Sequence, residues 1–333
     1  MDRRIFLNRL FWGSAGFALP VFLEGCGPRS QRIRFAVCTD VHQDIIHDGP
    51  ERINTFIQAA EKANAGFVIQ LGDFCFPLEE NKAFMEKWNS FNGPKYHVLG
   101  NHDMDVSSKA VTQKFWNMEN PYYSFDQGGF HFVVLDPNYF LHEGEFVDYE
   151  NGNYYAHAGS RAFLPKPQVE WLKKDLEATD KFTIVFSHQS LISPGSIKNQ
   201  EAIRELFEKV NLDQKRVIAC FSGHEHRDYH LERNGIHYIG VNSASYKWVG
   251  NEFQYAGRFD AETNKRRPSL KNTIPYADPL FAIIDIDSRG VLTIKGKEST
   301  FIPPGPKELG VETGGDNKQV VPLISDRVLH FDT

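Results

Sequence analysis

Five short apolar runs in this chain each stop at residues able to ligate a metal, and that recurrence constrains the fold more than any other feature. Ile33–Asp40 (IRFAVCTD) runs into Asp40-Val41-His42, and Phe67–Asp73 (FVIQLGD) ends on Gly72-Asp73. Tyr96–Asn101 (YHVLGN) opens Gly100-Asn101-His102-Asp103. Phe182–His188 ends on His188, and Val217–Gly223 leads into Gly223-His224-Glu225-His226. Such runs, rich in β-branched and aromatic residues, read as buried strands. Between them lie stretches read as helices, over Pro50–Asn64, Leu78–Phe91, Ser108–Trp116, Pro167–Ala178 and Gln200–Val210. Hairpin signals follow at Asp126–Gly129, Asn234-Gly235 and Ser288–Gly290. Strand–helix units followed by hairpins predict a layered α/β protein with mixed sheets, one domain over residues 32–333. In open α/β sheets the carboxyl ends of the strands form one crevice. Ligand types scattered from position 40 to position 226 are therefore expected to converge there.

Each motif alone is weak, since a single His at a strand end is more often a satisfied core or surface residue. All five in this order, each after an apolar run, are not a chance pattern. Carboxylate, imidazole and amide donors with no thiolate among them suit Zn, Fe or Mn. The glycines let the backbone turn sharply just before the ligands.

This set resembles the calcineurin-like metallophosphoesterase superfamily over Ile33 to about His226. The resemblance implies a four-layer α/β/β/α sandwich, two mixed β-sheets flanked by helices. It implies that Asp40, His42 and His226 bind one metal ion, that Asn101, His188 and His224 bind a second, and that Asp73 bridges both. His102 would then sit beside the metals, contact a phosphoryl oxygen and protonate the leaving group. The implied reaction is hydrolysis of a small phosphomonoester or phosphodiester by a metal-activated water, with two divalent or trivalent ions (Mn, Fe or Zn) as cofactors. Elementary chemistry agrees: a site bridging two cations suits a carboxylate better than an imidazole, and neutral Asn101 leaves the centre more cationic toward an anionic ester. Phe76 stands where protein phosphatases of the superfamily carry an Asp that orients the catalytic His, and where purple acid phosphatases carry an iron-binding Tyr. Asp103 is the expected substitute for that Asp. The alternative reading is a non-catalytic metal-binding surface protein on the same scaffold.

The formal net charge of −6 argues against a partner such as a nucleic-acid duplex, although bound cations would still admit small anionic esters. An aromatic-rich stretch without clear periodicity, about 137–165, is expected to wall the cleft or pack on its own domain. Asn242–Ser245 reads as facing the metals, and Lys265–Arg267 as a solvated basic run. Residues 1–25 read as a signal peptide: Arg3-Arg4-Ile5-Phe6-Leu7 resembles a twin-arginine export signal, and Leu10–Leu23 is an uncharged run too short to span a bilayer. Leu23-Glu24-Gly25-Cys26 resembles a lipobox. Export to the periplasm, with membrane attachment only through lipid on Cys26, is the expectation. Cys38, Cys75 and Cys220 are expected to be buried thiols.

Overall fold

Alternate residues of the first strand, β1 (Arg32–Cys38), face opposite ways: Phe35 and Val37 enter one core cluster, Ala36 and Cys38 another. That period-two pattern organises the molecule. The computed structural model describes residues 30–213, 216–313 and 320–333; the export and lipidation signals read over residues 1–26 lie outside them.

The remaining strands are β2 (Phe67–Gln70), β3 (Lys95–His97), β4 (Tyr123–Gln127), β5 (Phe130–Val134), β6 (Tyr139–His142), β7 (Glu145–Asp148), β8 (Thr183–Ser187), β9 (Val217–Ser222), β10 (Tyr229–Arg233), β11 (Ile236–Gly240), β12 (Tyr246–Trp248), β13 (Thr273–Pro275), β14 (Ala282–Asp287), β15 (Val291–Lys295) and β16 (Arg327–His330). One six-stranded sheet has the order β16-β15-β14-β1-β2-β3, the other β10-β11-β9-β8-β5-β4. Both are mixed: β1, β2 and β3 run parallel while β14 pairs antiparallel with β1, and β5, β8, β9 and β11 run parallel between antiparallel edges.

The inner faces meet in a core dominated by phenylalanine. Phe35 stacks on Phe67 at 4.7 Å between ring centroids and meets Phe132, Phe186 and Phe221 edge-on. Each such ring, fully buried, contributes about 1.5–3 kcal/mol. Helices cover the outer faces. On the first sheet, α1 (Gly49–Lys62) buries Ile53, Phe56, Ile57 and Ala60, the i, i+3, i+4, i+7 stripe of an amphipathic helix, and α2 (Lys82–Asn89) adds Phe84 and Trp88. Next to them lies α3 (Lys109–Trp116), capped by Ser108, whose Oγ accepts from the Val111 amide. On the second sheet, α4 (Lys166–Ala178) and α5 (Gln200–Asp213) bury Leu172, Leu176, Ile203 and Phe207. The architecture is the expected α/β/β/α sandwich, and Cys38, Cys75 and Cys220 are buried free thiols.

The strands are shorter than the apolar runs. β2 stops at Gln70 and β3 at His97, because the ligand-bearing residues beyond them leave the ladder as turns. The 137–165 stretch is ordered: β6 and β7 pair as a hairpin and Asn153–His157 forms a 3₁₀ turn. Its base is tied down by Lys109, buried, whose Nζ lies 2.7 Å from Asp136 and 2.6 Å from Asp148. The Pro/Gly-rich tail after Phe301, which reads as merely extended, returns to add β16 at a sheet edge.

An ionic triad on the second sheet gives a pH signature. His131 Nδ1 and Nε2 each lie 2.8 Å from a carboxylate, of Asp126 and Asp175. Burial opposes the imidazolium, but the hydrogen bonds to Asp175 and Asp126 prevail and raise the pKa. A raised native pKa contributes stability that is complete below the unfolded value, about 6.5, and is lost as pH rises through the native one. The stability deficit of His131→Gln should therefore be larger at about pH 5.5 than at about pH 8.5, read from denaturant midpoints of variant and parent. An equal deficit at both would refute this account.

Candidate metal centre

Each ligand-type residue sits on a turn just past a strand, and most of those turns need an unusual backbone. Asp40 (φ 50°), His42 (48°), Asp73 (51°), His224 (68°) and His226 (48°) all occupy the left-handed region. Non-glycine residues there cost about 1–3 kcal/mol each and persist where the surroundings over-determine them. The surroundings here are specific. Gly100 passes so close beneath Asp73 that a Cβ on it would overlap the Asp73 amide and carboxylate. Gly223 sits equally tight against Thr39 and Asp40. Thr39 Oγ1 and the His224 amide both donate to Asp40 Oδ2, at 2.6 and 3.0 Å. The His102 amide donates to Asp73 Oδ1 at 2.8 Å.

Two groups result. Asp40, His42 and His226 bring one ligand atom each within 4.8 Å of one another, and Asp73, His188 and His224 do the same. Each group draws on both sheets: Asp40, His42 and Asp73 follow strands of the first, His188, His224 and His226 strands of the second. The groups touch through Asp73, whose Oδ2 lies 3.6 Å from His42 Nε2 and 3.1 Å from His188 Nε2. Asn101 is buried at the same rim, its Nδ2 donating to the Tyr154 hydroxyl at 3.2 Å.

Whether this donor set fits cations can be judged from its unmet valences. Asp40 Oδ1 and Asn101 Oδ1 are buried without a hydrogen-bond partner. An orphaned buried acceptor costs about 1–3 kcal/mol, which a cation would recover. The tautomers are set from behind: His188 Nδ1 donates to the Leu71 carbonyl at 2.7 Å and His226 Nδ1 to that of Tyr246 at 2.8 Å. Both Nε2 lone pairs then face the centre, the outer-shell arrangement of metal-binding histidines. The residues present fit a pair of cations.

Electrostatics divides the site. Burial works against a charge on Asp40, yet the adjoining His226 holds its carboxyl below the usual range. Asp73 is likewise held low, with His188 as its main opponent to burial. Burial pushes His42 and His224 down to about 3, so both imidazoles stay neutral. His188 goes the other way, up to about 9: burial opposes its charge, but the charge and hydrogen bond of Asp73, the Asp40 charge and the Leu71 carbonyl together prevail. His102 also rises to about 9, against burial, through the Asp73 charge and the hydrogen bond to Asp105.

The expectation that Asp103 substitutes as the group orienting His102 is corrected. Asp103 Oδ2 accepts from the Asp73 and Gly100 amides, at 3.0 and 2.7 Å, and Oδ1 from the Phe74 amide at 2.7 Å. It pins the two ligand-bearing turns together. His102 is instead held by Asp105, whose Oδ2 lies 2.8 Å from Nδ1. Residues 102 and 105 straddle a 3₁₀ turn (His102–Met104), which eclipses positions three apart. Tyr154 donates to Asp105 Oδ1 at 2.6 Å and Tyr155 to Oδ2 at 3.1 Å, so the 137–165 stretch does reach the centre. Tyr149 backs Tyr154 at 4.4 Å, whereas His142 and His157 pack around Phe140 and Tyr139 covers the Lys109 ammonium.

Asn242–Ser245 supports the site rather than facing it: Ser243 and Ser245 donate their hydroxyls to the Asp40 and Val41 carbonyls, at 2.8 and 2.7 Å. Lys265 and Arg266 close a short helix, α6 (Ala261–Arg266), and Arg267 reaches the Asp44 carbonyl at 3.4 Å. Sequence reasoning missed Thr39, Asp105 and Tyr246. The only advance signal for Asp105 was its three-residue spacing from His102.

A family profile described as calcineurin-like phosphoesterase matches residues 33–228. The chain is 25% identical over 277 residues to the manganese-dependent ADP-ribose/CDP-alcohol diphosphatase of Arabidopsis thaliana, covering 66% of this chain and 88% of the relative. It is 30% identical over 168 residues to purple acid phosphatase 23 of Arabidopsis thaliana, covering 45% of this chain but only 32% of that protein. Among solved structures, a dimetal phosphatase from Danio rerio superposes with a TM-score of 0.58 at 15% identity, over 81% of this chain and 98% of the other; at that identity the likeness concerns the fold.

Proposed function

Because the chain belongs to the calcineurin-like phosphoesterase family, we propose that it hydrolyses a small phosphomonoester or phosphodiester at a centre of two metal ions. The observation that carries the reading is Asp73, one carboxylate within 3.6 Å of a histidine from each ligand group. In this reading Asp40, His42 and His226 hold one ion, and Asn101, His188 and His224 the other, with Asp73 shared. When bound, such a pair polarises the phosphoryl group and makes water nucleophilic near neutral pH.

The chain's own residues do the rest. Asp40 and Asp73 supply the anionic charge that retains the cations, while neutral Asn101 limits that charge so that an anionic ester is still attracted. In this reading His102 stands at the rim and gives its proton to the departing oxygen. Asp105 and the Tyr154 and Tyr155 hydroxyls hold the ring so that Nδ1 faces them and Nε2 is left for the substrate. Phe76 has no hydroxyl and cannot serve as a metal-binding phenolate. The relative named for manganese makes Mn the first ion to test.

We further propose, from residues 1–26, that the enzyme acts outside the cytoplasm and is attached through lipid on Cys26. Metal-loaded protein should turn over p-nitrophenyl phosphate or its bis ester, lose that activity to a chelator and regain it with added Mn. Turnover untouched by chelation would count against the reading.

A further inference from the structure

Beside the second ligand group, a cavity of about 130 Å³ opens between the 137–165 stretch and the loop after β8. Asn101 and His224 form its inner end and Tyr154, Arg161, Gln189 and Lys198 its sides; no acidic residue lines it. A space of that size admits a carboxylate or a phosphate group. We propose that it binds a second anionic group of the substrate, a carboxylate or a phosphate, carried at a distance from the reacting phosphoryl. The inference rests on the hydrolase reading of the adjoining centre and names the class of ester that it takes.

Two cationic side chains, the part-buried Arg161 and the exposed Lys198, face this cavity. Neither Arg161 nor Lys198 pairs with a carboxylate among the described residues. The Arg161 guanidinium lies over the Tyr154 ring, 5.4 Å from its centroid, which holds it without neutralising it. The backbone that carries them is fixed. The Lys198 amide donates to the Ala162 carbonyl at 2.8 Å, and the Ala162 amide donates to the Tyr139 carbonyl and the Tyr149 hydroxyl, both at 2.9 Å. Ala162 is held at φ 68°, a left-handed conformation that alanine avoids unless its surroundings impose it.

A second, independent observation points to a ligand. Gln189 is 2% exposed; its Nε2 donates to Asn138 Oδ1 at 2.9 Å, yet its Oε1 has no partner. A buried acceptor beside two unpaired cations suits a ligand that brings a hydroxyl next to its anion. The cavity shares Asn101 and His224 with the metal centre, so one small molecule can occupy both.

The test uses the full chain loaded with manganese and the non-hydrolysable phosphonate analogues of glycerol 3-phosphate, 3-phosphoglycerate and glycerol 1,3-bisphosphate. These share the reacting end and the central hydroxyl and differ in the second anion. Calorimetry should show at least one of the two doubly anionic probes binding about tenfold more tightly than the first. A gain confined to the carboxylate or to the phosphate identifies the group. Arg161→Gln with Lys198→Gln should remove the gain while the first probe's affinity stays within about twofold. Lys198→Gln alone, at an exposed position, gives the same direction if the double variant folds poorly. Equal affinity for all three probes, or a gain that survives Lys198→Gln and the double variant, overturns the proposal. Turnover of p-nitrophenyl phosphate, assayed in parallel, reports on the hydrolase reading separately.

Discussion

Asp73→Asn should lower kcat/KM by about three orders of magnitude or more, on the scale of several kcal/mol of transition-state stabilisation that a metal pair supplies. The amide keeps the shape of the side chain and the acceptor oxygen toward the His102 amide, so the fold should survive with little change in thermal midpoint. What it removes is the negative charge beside both His42 and His188. Metal analysis of the purified variant should show fewer ions per chain than the parent. The same analysis on Asp40→Asn should show a smaller deficit, because Asp40 stands within only one ligand group. Full metal content and ordinary turnover in Asp73→Asn would end the dinuclear reading.

The second large effect concerns His102. Replacing it with alanine should cost about 10²–10⁴-fold in kcat, the usual contribution of a positioned acid, and the loss should depend on the leaving group. Alkyl phosphates, whose alkoxide needs a proton, should suffer most, and p-nitrophenyl phosphate, whose phenolate departs unaided, least. Asp105→Asn should move in the same direction by a smaller factor with metal content unchanged, since Asp105 holds His102 and the Tyr154 and Tyr155 hydroxyls and stands in neither ligand group. Tyr155→Phe should be milder still. A loss of equal size for both kinds of leaving group would assign His102 to charge stabilisation instead of proton transfer.

The turns that carry the candidate ligands were legible in the sequence because each lies where an apolar run breaks off, and the strand ends of a layered α/β fold share one rim. Asp40, His42, Asp73, Asn101, His188, His224 and His226 all meet there. What was not legible depends on side-chain direction. Asp103 and Asp105 are both acidic neighbours of His102, and sequence spacing favours the nearer; the 3₁₀ turn turns Asp103 inward onto three amides and places Asp105 under the ring. The 137–165 stretch hid its hairpin because β7 is largely exposed and carries no alternating apolar pattern. β16 was hidden in a tail of Pro and Gly, where only pairing with β15 makes a strand of Arg327–His330.

Each ligand group takes members from both sheets, and this has a consequence for synthesis on the ribosome. The first group is incomplete until residue 226 has been made, and the second until residue 224. A nascent chain that has emerged only through the first sheet's parallel strands carries Asp40, His42, Asp73 and Asn101 but closes neither trio. If the two groups hold cations as proposed, cation capture is a late checkpoint, passed only by molecules in which the elements of both sheets have already docked.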